Sequence, residues 1–121
     1  VILGILAAVA VPTFFNLQNQ AQIAACKGAL GGLRSGISIW YAKEATSGVP
    51  TFPALTDMTT TSGGVMLNGS VPPNPFVAVS TDATTIVTTA ATTRATAASA
   101  GWVYHTASGS IWGATTDSSV F

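Results

Sequence analysis

A chain of 121 residues suffices for one compact domain and not two, and whatever it commits to an extended helix is withdrawn from that domain's core. Charged residues make up 7% of it and hydrophobic residues 48%, against roughly 25% charge in ordinary soluble domains, so a free cytosolic protein is a poor match. Four basic residues balance four acidic ones, which leaves no net field to steer the chain to nucleic acid or to an anionic membrane surface.

A surface short of charge and rich in Thr, Ser, Ala and Gly suits contact with copies of itself or a covering of sugar, and both point outside the cytosol. A single cysteine, Cys26, excludes an intrachain disulfide and a cysteine-rich zinc site. The chain opens at Val1 in the middle of an apolar run, so the expectation is of a processed or truncated form with residues missing upstream.

Residues 1–15 are apolar apart from Thr13, with Gly4 and Pro12 as the breakers. A membrane-spanning helix needs about 20 such residues, a length this run would reach with further apolar residues ahead of it. A helix packed on one side of a small domain would show a polar stripe, and this run shows none. From Asn16 the polarity changes. Ile23, Leu30, Leu33, Ile37 and Trp40 recur at helical spacing, predicting one face turned to a core. Gly28, Gly31, Gly32 and Gly36 each weaken an exposed helix by about 1 kcal/mol relative to Ala, so tertiary packing is required there. Ser47, Gly48, Val49 and Pro50 supply the stop. A helix from Val1 to about Thr46 would span on the order of 70 Å, more than a small domain can cover.

Residues 50–75 read as a long connection with turn chemistry at Gly63, Gly64, Asn68, Gly69 and the Pro72, Pro73, Asn74, Pro75 cluster, with a short strand at 65–67. Strands are predicted at 76–79, 84–89 and 101–106, the last placing Trp102 and Tyr104 on one side and Val103 and His105 on the other. A turn at Ala107, Ser108 and Gly109 returns the chain as a hairpin partner over 110–114. The Thr/Ala tract at 88–99 reads as a mobile loop or irregular edge. The predicted fold class is α+β: a long N-terminal α-helix packed against a small antiparallel β-sheet head. Three parts follow, an apolar assembly or membrane half at 1–22, an amphipathic half packed on the head at 23–47, and the connection and sheet head at 48–121.

The opening VILGILAAVAVPTF resembles the downstream part of the N-terminal signature of type IV pilins and type II secretion pseudopilins. In that family a Phe-Thr-Leu-Ile-Glu start leads into an apolar helix broken by a Gly and then a Pro, matched here by Gly4 and Pro12. The PPNPF segment and the GWVYHTASGSIW hairpin are similar more weakly, and the middle of the chain is unmatched. The resemblance implies a precursor held in the inner membrane of a bacterium, handled by pilus or secretion assembly machinery, and moved into an extracellular helical filament of identical subunits. The expected filament-core residues are Val1, Ile2, Leu3, Ile5, Leu6, Val9, Val11, Phe14 and Phe15, with Gly4 and Pro12 as a helix hinge that unwinds or stretches in the filament. Ile23, Leu30, Leu33, Ile37 and Trp40 join helix to sheet. Trp102, Tyr104, Ile111 and Trp112 form the head core. The Phe start and its acidic residue are absent from this sequence, so neither N-terminal methylation nor the family's carboxylate pairing can be placed on any residue. The C-terminal disulfide of many pilins is also ruled out by the single cysteine. Two alternatives stand beside a pilus subunit: a major pseudopilin of a type II secretion system, and a minor tip subunit whose head binds a ligand.

An enzyme has little support. One histidine, His105, and four acids assemble no nucleophile, base and charge-stabilising group, and His105 reads as a strand residue with an ordinary hydrogen bond. No cofactor or metal is expected. Asp117 with Ser118 is a conceivable calcium pair by analogy with some pseudopilins, but a hard divalent ion needs several more oxygens. Cys26 reads as small apolar packing. Aromatic residues are 8% of the chain, an ordinary share that core packing accounts for without filament conductivity. The Ser/Thr clusters offer sites for O-glycosylation or plain loop chemistry, which intact-mass measurement on purified filaments separates.

Overall fold

In the computed structural model, described over residues 1–78, 80–91 and 99–115, α1 runs over Ile2–Thr46 as 45 consecutive residues. It ends as its sequence dictates: Ser47 caps it, and Gly48, at φ +91, takes the left-handed conformation that a residue with a Cβ resists. Two short helices follow, α2 at Leu55–Thr59 and α3 at Ser80–Ala83, with a 3-10 turn at Leu67–Gly69 between them. The sheet has strands β1 (Ile86–Thr88), β2 (Trp102–His105) and β3 (Ser110–Gly113) in the order β1-β2-β3. The architecture is therefore α+β, a long N-terminal helix with a small sheet head.

The sheet is mixed rather than antiparallel. β2 and β3 form the expected hairpin, with Tyr104 opposite Ile111 and Val103 opposite Trp112, but β1 runs parallel to β2, Ile86 aligning with Trp102 and Thr88 with Tyr104. The reason lies in the link between β1 and β2, which at about a dozen residues is long enough for the crossover that parallel neighbours need. The Thr/Ala tract is that link, and most of it, residues 92–98, lies outside the described residues.

Two predicted strands do not form. Around Pro75 and Phe76 the chain turns, because the Asn74 side chain accepts the Phe76 N–H at 3.0 Å while the Asn74 N–H donates to the Ala83 carbonyl at 2.9 Å. That side-chain turn displaces an extended conformation. Val79, the last residue of that predicted strand, lies outside the described residues. Residues 65–67 bend into the 3-10 turn, where Asn68 (φ 57) and Gly69 (φ 64) are successive left-handed residues that an extended strand cannot contain.

The core forms where α1 crosses the sheet. Cys26, Leu30, Leu33 and Ile37 supply one helical stripe, and Met58, Val71, Ile86, Trp102, Tyr104 and Ile111 close over it. Ile23 is partly buried against this cluster and Trp40 is half-buried, so the predicted stripe holds at its centre and frays at both ends. Trp102 and Tyr104 share the core face as expected, and both carry their polar atoms to the connection. Trp102 Nε1 donates to the Pro72 carbonyl at 2.8 Å and the Tyr104 hydroxyl to the Pro53 carbonyl at 2.9 Å. A buried aromatic with a polar tip needs such a partner, and two proline carbonyls, on residues with no N–H of their own, provide it. Ile111 is buried and Trp112 half-buried. Trp112 thus edges the head core rather than filling it.

Candidate functional site

The surface that stands out is the N-terminal half of α1. The first fully buried residue among those described on the helix is Cys26; everything described ahead of residue 22 is exposed. Val1, Ile2, Leu3, Ile5, Leu6, Val9, Phe14, Phe15 and Leu17 all face solvent, from Leu17 at 56% exposed through Leu3 at 83% to a fully exposed Val1. The backbone is helical through Val11 and Pro12 as well, while their side chains lie outside the described set. In a single chain the helix is continuous across Gly4 and Pro12. A Cβ at Gly4 would meet nothing within 4 Å, so Gly4 answers no packing demand inside one molecule.

An apolar stripe this wide is soluble only against lipid or other apolar surfaces. By length and composition α1 is able to cross a membrane, and the window that qualifies is 0% buried in the molecule. A core helix of comparable hydropathy would be covered by its own domain. Here the same helix changes character along its length: the half beyond residue 22 is held by the sheet, and every side chain described before it is exposed.

Where α1 meets the head, the chain approaches closely. A Cβ added at Gly36 would sit 3.0 Å from the Val65 side chain and 3.1 Å from its carbonyl oxygen. Gly28, Gly31 and Gly32 would meet nothing within 4 Å. These four glycines in the second half of α1 therefore divide into one that admits the 65–66 segment and three that face open space. At the far end of the helix Lys43 lies over the Trp40 ring at 5.2 Å, and Tyr41 stacks on Phe52 with centroids 4.7 Å apart.

A second feature is a groove of about 380 Å³ between α1 and the β2–β3 turn, walled by Arg34 and Ser38 on one side and Ser108 and Ser110 on the other, with Phe52 and Trp112 at its edges. The turn fits because Gly109, at φ +68, presents no Cβ, which would overlap the Phe52 ring. His105, 8% exposed, has its Nδ1 at 2.7 Å from Ser108 Oγ. The calcium candidates Asp117 and Ser118 lie outside the described residues.

Sequence reasoning missed Asn74. It is 1% exposed, donates through Nδ2 to the Gly101 carbonyl at 2.7 Å, accepts from Phe76, and lies 3.7 Å from Cys26 Sγ. An Asn within a proline cluster signals a turn, but nothing in its neighbours signals burial. Met58, fully buried, was likewise invisible inside a polar stretch. No protein-family model matches the chain, and no curated protein or solved structure matches it either.

Proposed function

We propose that this chain is a structural subunit of an extracellular helical filament of the type IV pilin kind, assembled through the N-terminal half of α1. The observation that carries the reading is the set of exposed apolar side chains at Val1–Val9 and Phe14–Leu17, on a helix whose other half is anchored in the head. Placing each Leu or Ile side chain against a neighbouring helix contributes roughly 1.5–3 kcal/mol, and several per subunit hold a polymer without covalent links. The same surface suits lipid before assembly, so transfer from inner membrane to helix bundle never exposes it to water. Identical subunits are the principal partners, with assembly machinery acting on them. In the bundle, Pro12 lacks an N–H for the helix ladder, and the stretch from Gly4 to Pro12 is proposed to unwind there, although it is helical in the single chain.

Cysteine cross-linking tests the reading. Cys26 is fully buried, which shields it from mild oxidants, so cysteines introduced as Leu6→Cys and Val9→Cys are the thiols the test reads. In material sheared from the surface of cells making the chain, oxidation is expected to give a ladder of covalent multimers. Monomer alone, under conditions that oxidise a control cysteine at Leu67 (87% exposed), contradicts the proposal.

A further inference from the structure

The head carries a chemical grouping apart from the exposed apolar half of α1. The groove between α1 and the β2–β3 turn encloses about 380 Å³, within the ~300–1,000 Å³ range of small-molecule sites. Arg34 stands on its α1 wall, exposed. Its Nη2 donates to the Ile111 carbonyl at 3.3 Å, and no carboxylate pairs with it among the described residues. That one bond ties the guanidinium to the sheet and leaves the rest of its fork to meet a carboxylate.

The hydroxyls around it are linked. Ser108 Oγ lies 2.9 Å from Ser110 Oγ and 2.7 Å from His105 Nδ1. The Ser110 hydroxyl therefore offers the groove its proton in the tautomer with hydrogen on Nδ1, and its lone pairs in the other. Ser38 donates to the Arg34 carbonyl at 2.9 Å, which leaves its lone pairs for a donor. Phe52 and Trp112, both half-buried, add apolar ring surface. A ligand matching all of these has a carboxylate, hydroxyls that both donate and accept, and an apolar C–H face. Simple anions have no such face, and neutral sugars leave the guanidinium unanswered.

We propose that this groove binds a uronic-acid unit, the carboxylated sugar of acidic polysaccharides, with Arg34 holding the carboxylate and Ser38 and Ser110 the ring hydroxyls. The site belongs to the head of a single copy and does not depend on polymerisation. Its test is titration of the full chain in neutral detergent micelles, followed by backbone amide NMR, with glucuronate, glucose and acetate as probes. Glucuronate is expected to shift the signals of Arg34, Ser38, Ser108 and Ser110 saturably, and to bind at least about tenfold tighter than glucose or acetate, because the charge-assisted fork and the hydroxyl contacts must act together. Arg34→Gln is expected to abolish the preference over glucose while leaving the remaining spectrum in place. Arg34→Lys, with charge but no fork, is expected to recover only part of it. Equal response to glucuronate and acetate reduces the site to a plain anion contact and overturns the proposal. So does the absence of saturable shifts, or shifts that follow protein concentration instead of sugar.

Discussion

Truncating Asn74 would strand the Phe76 N–H, which donates to this buried amide, and would take one of two hydrogen bonds from the Gly101 carbonyl, which keeps the Ala114 N–H. Unsatisfied buried groups cost about 1–3 kcal/mol each. Asn74→Ala is therefore expected to destabilise the head by about 1–3 kcal/mol, measured as a lowered urea midpoint in the tryptophan fluorescence of the micelle-bound chain. Tyr104 makes a second prediction at this scale. Burial of its phenol, with the Asp57 carboxylate as a lesser cause, pushes its pKa up to about 12 from an ordinary value near 10. The unfolded chain gives up this proton first as pH rises, so the stability tied to the neutral phenol is intact below about pH 10. It is lost between about 10 and 12, by roughly 2 kcal/mol in total. Tyr104→Phe is expected to remove that alkaline dependence, and to cost about 1 kcal/mol at neutral pH through the lost bond to the Pro53 carbonyl. Urea melts of both proteins at stepped alkaline pH distinguish the two slopes.

At the scale of elements, α1 was legible and the sheet only partly so. The spacing of Leu30, Leu33 and Ile37 places one face on the core because helical periodicity leaves a strong local record. The Ser47 and Gly48 stop is local chemistry too. The β2–β3 hairpin is local for the same reason. The direction of β1 is not, because it depends on where a long link carries the chain, and composition does not encode that path. Asn74 shows the same limit from another side: its turn was visible in its proline neighbours, its burial was not. The glycines of α1 also looked alike in sequence and separate only in three dimensions. Gly36 faces Val65 across a gap that a Cβ fills at 3.0 Å, whereas Gly28 and Gly31 face open space. Gly28→Ala and Gly31→Ala are each expected to stabilise the single chain by up to about 1 kcal/mol. Gly36→Val is expected to destabilise it by about 1–3 kcal/mol, since the larger side chain must push the 65–66 segment away. Circular dichroism melts in micelles read both signs.

On the scale of the whole molecule, one helix serves two solvents. Its C-terminal half is enclosed by Trp102, Tyr104 and Ile111, and its N-terminal half offers Ile2, Leu6 and Phe14 to whatever apolar surface is available. The division follows from the change in polarity at Asn16, so the exposed apolar half of α1 was the most legible part of the chain. Leu6 is 64% exposed, so Leu6→Asp removes no core contact from a single subunit. It is expected to leave the head's fluorescence and urea midpoint unchanged while filament yield falls below detection, because a buried unpaired carboxylate at each helix contact has no compensation. The most direct measurement is electron cryomicroscopy of filaments sheared from cells that make this chain, with helical reconstruction fine enough to trace α1. Assembly through α1 places residues 1–15 of neighbouring copies in mutual contact along the filament axis, with the heads outermost. Heads meeting heads around an axis free of α1, or a purified chain that stays monomeric in water with that segment turned back onto its own sheet, would contradict it.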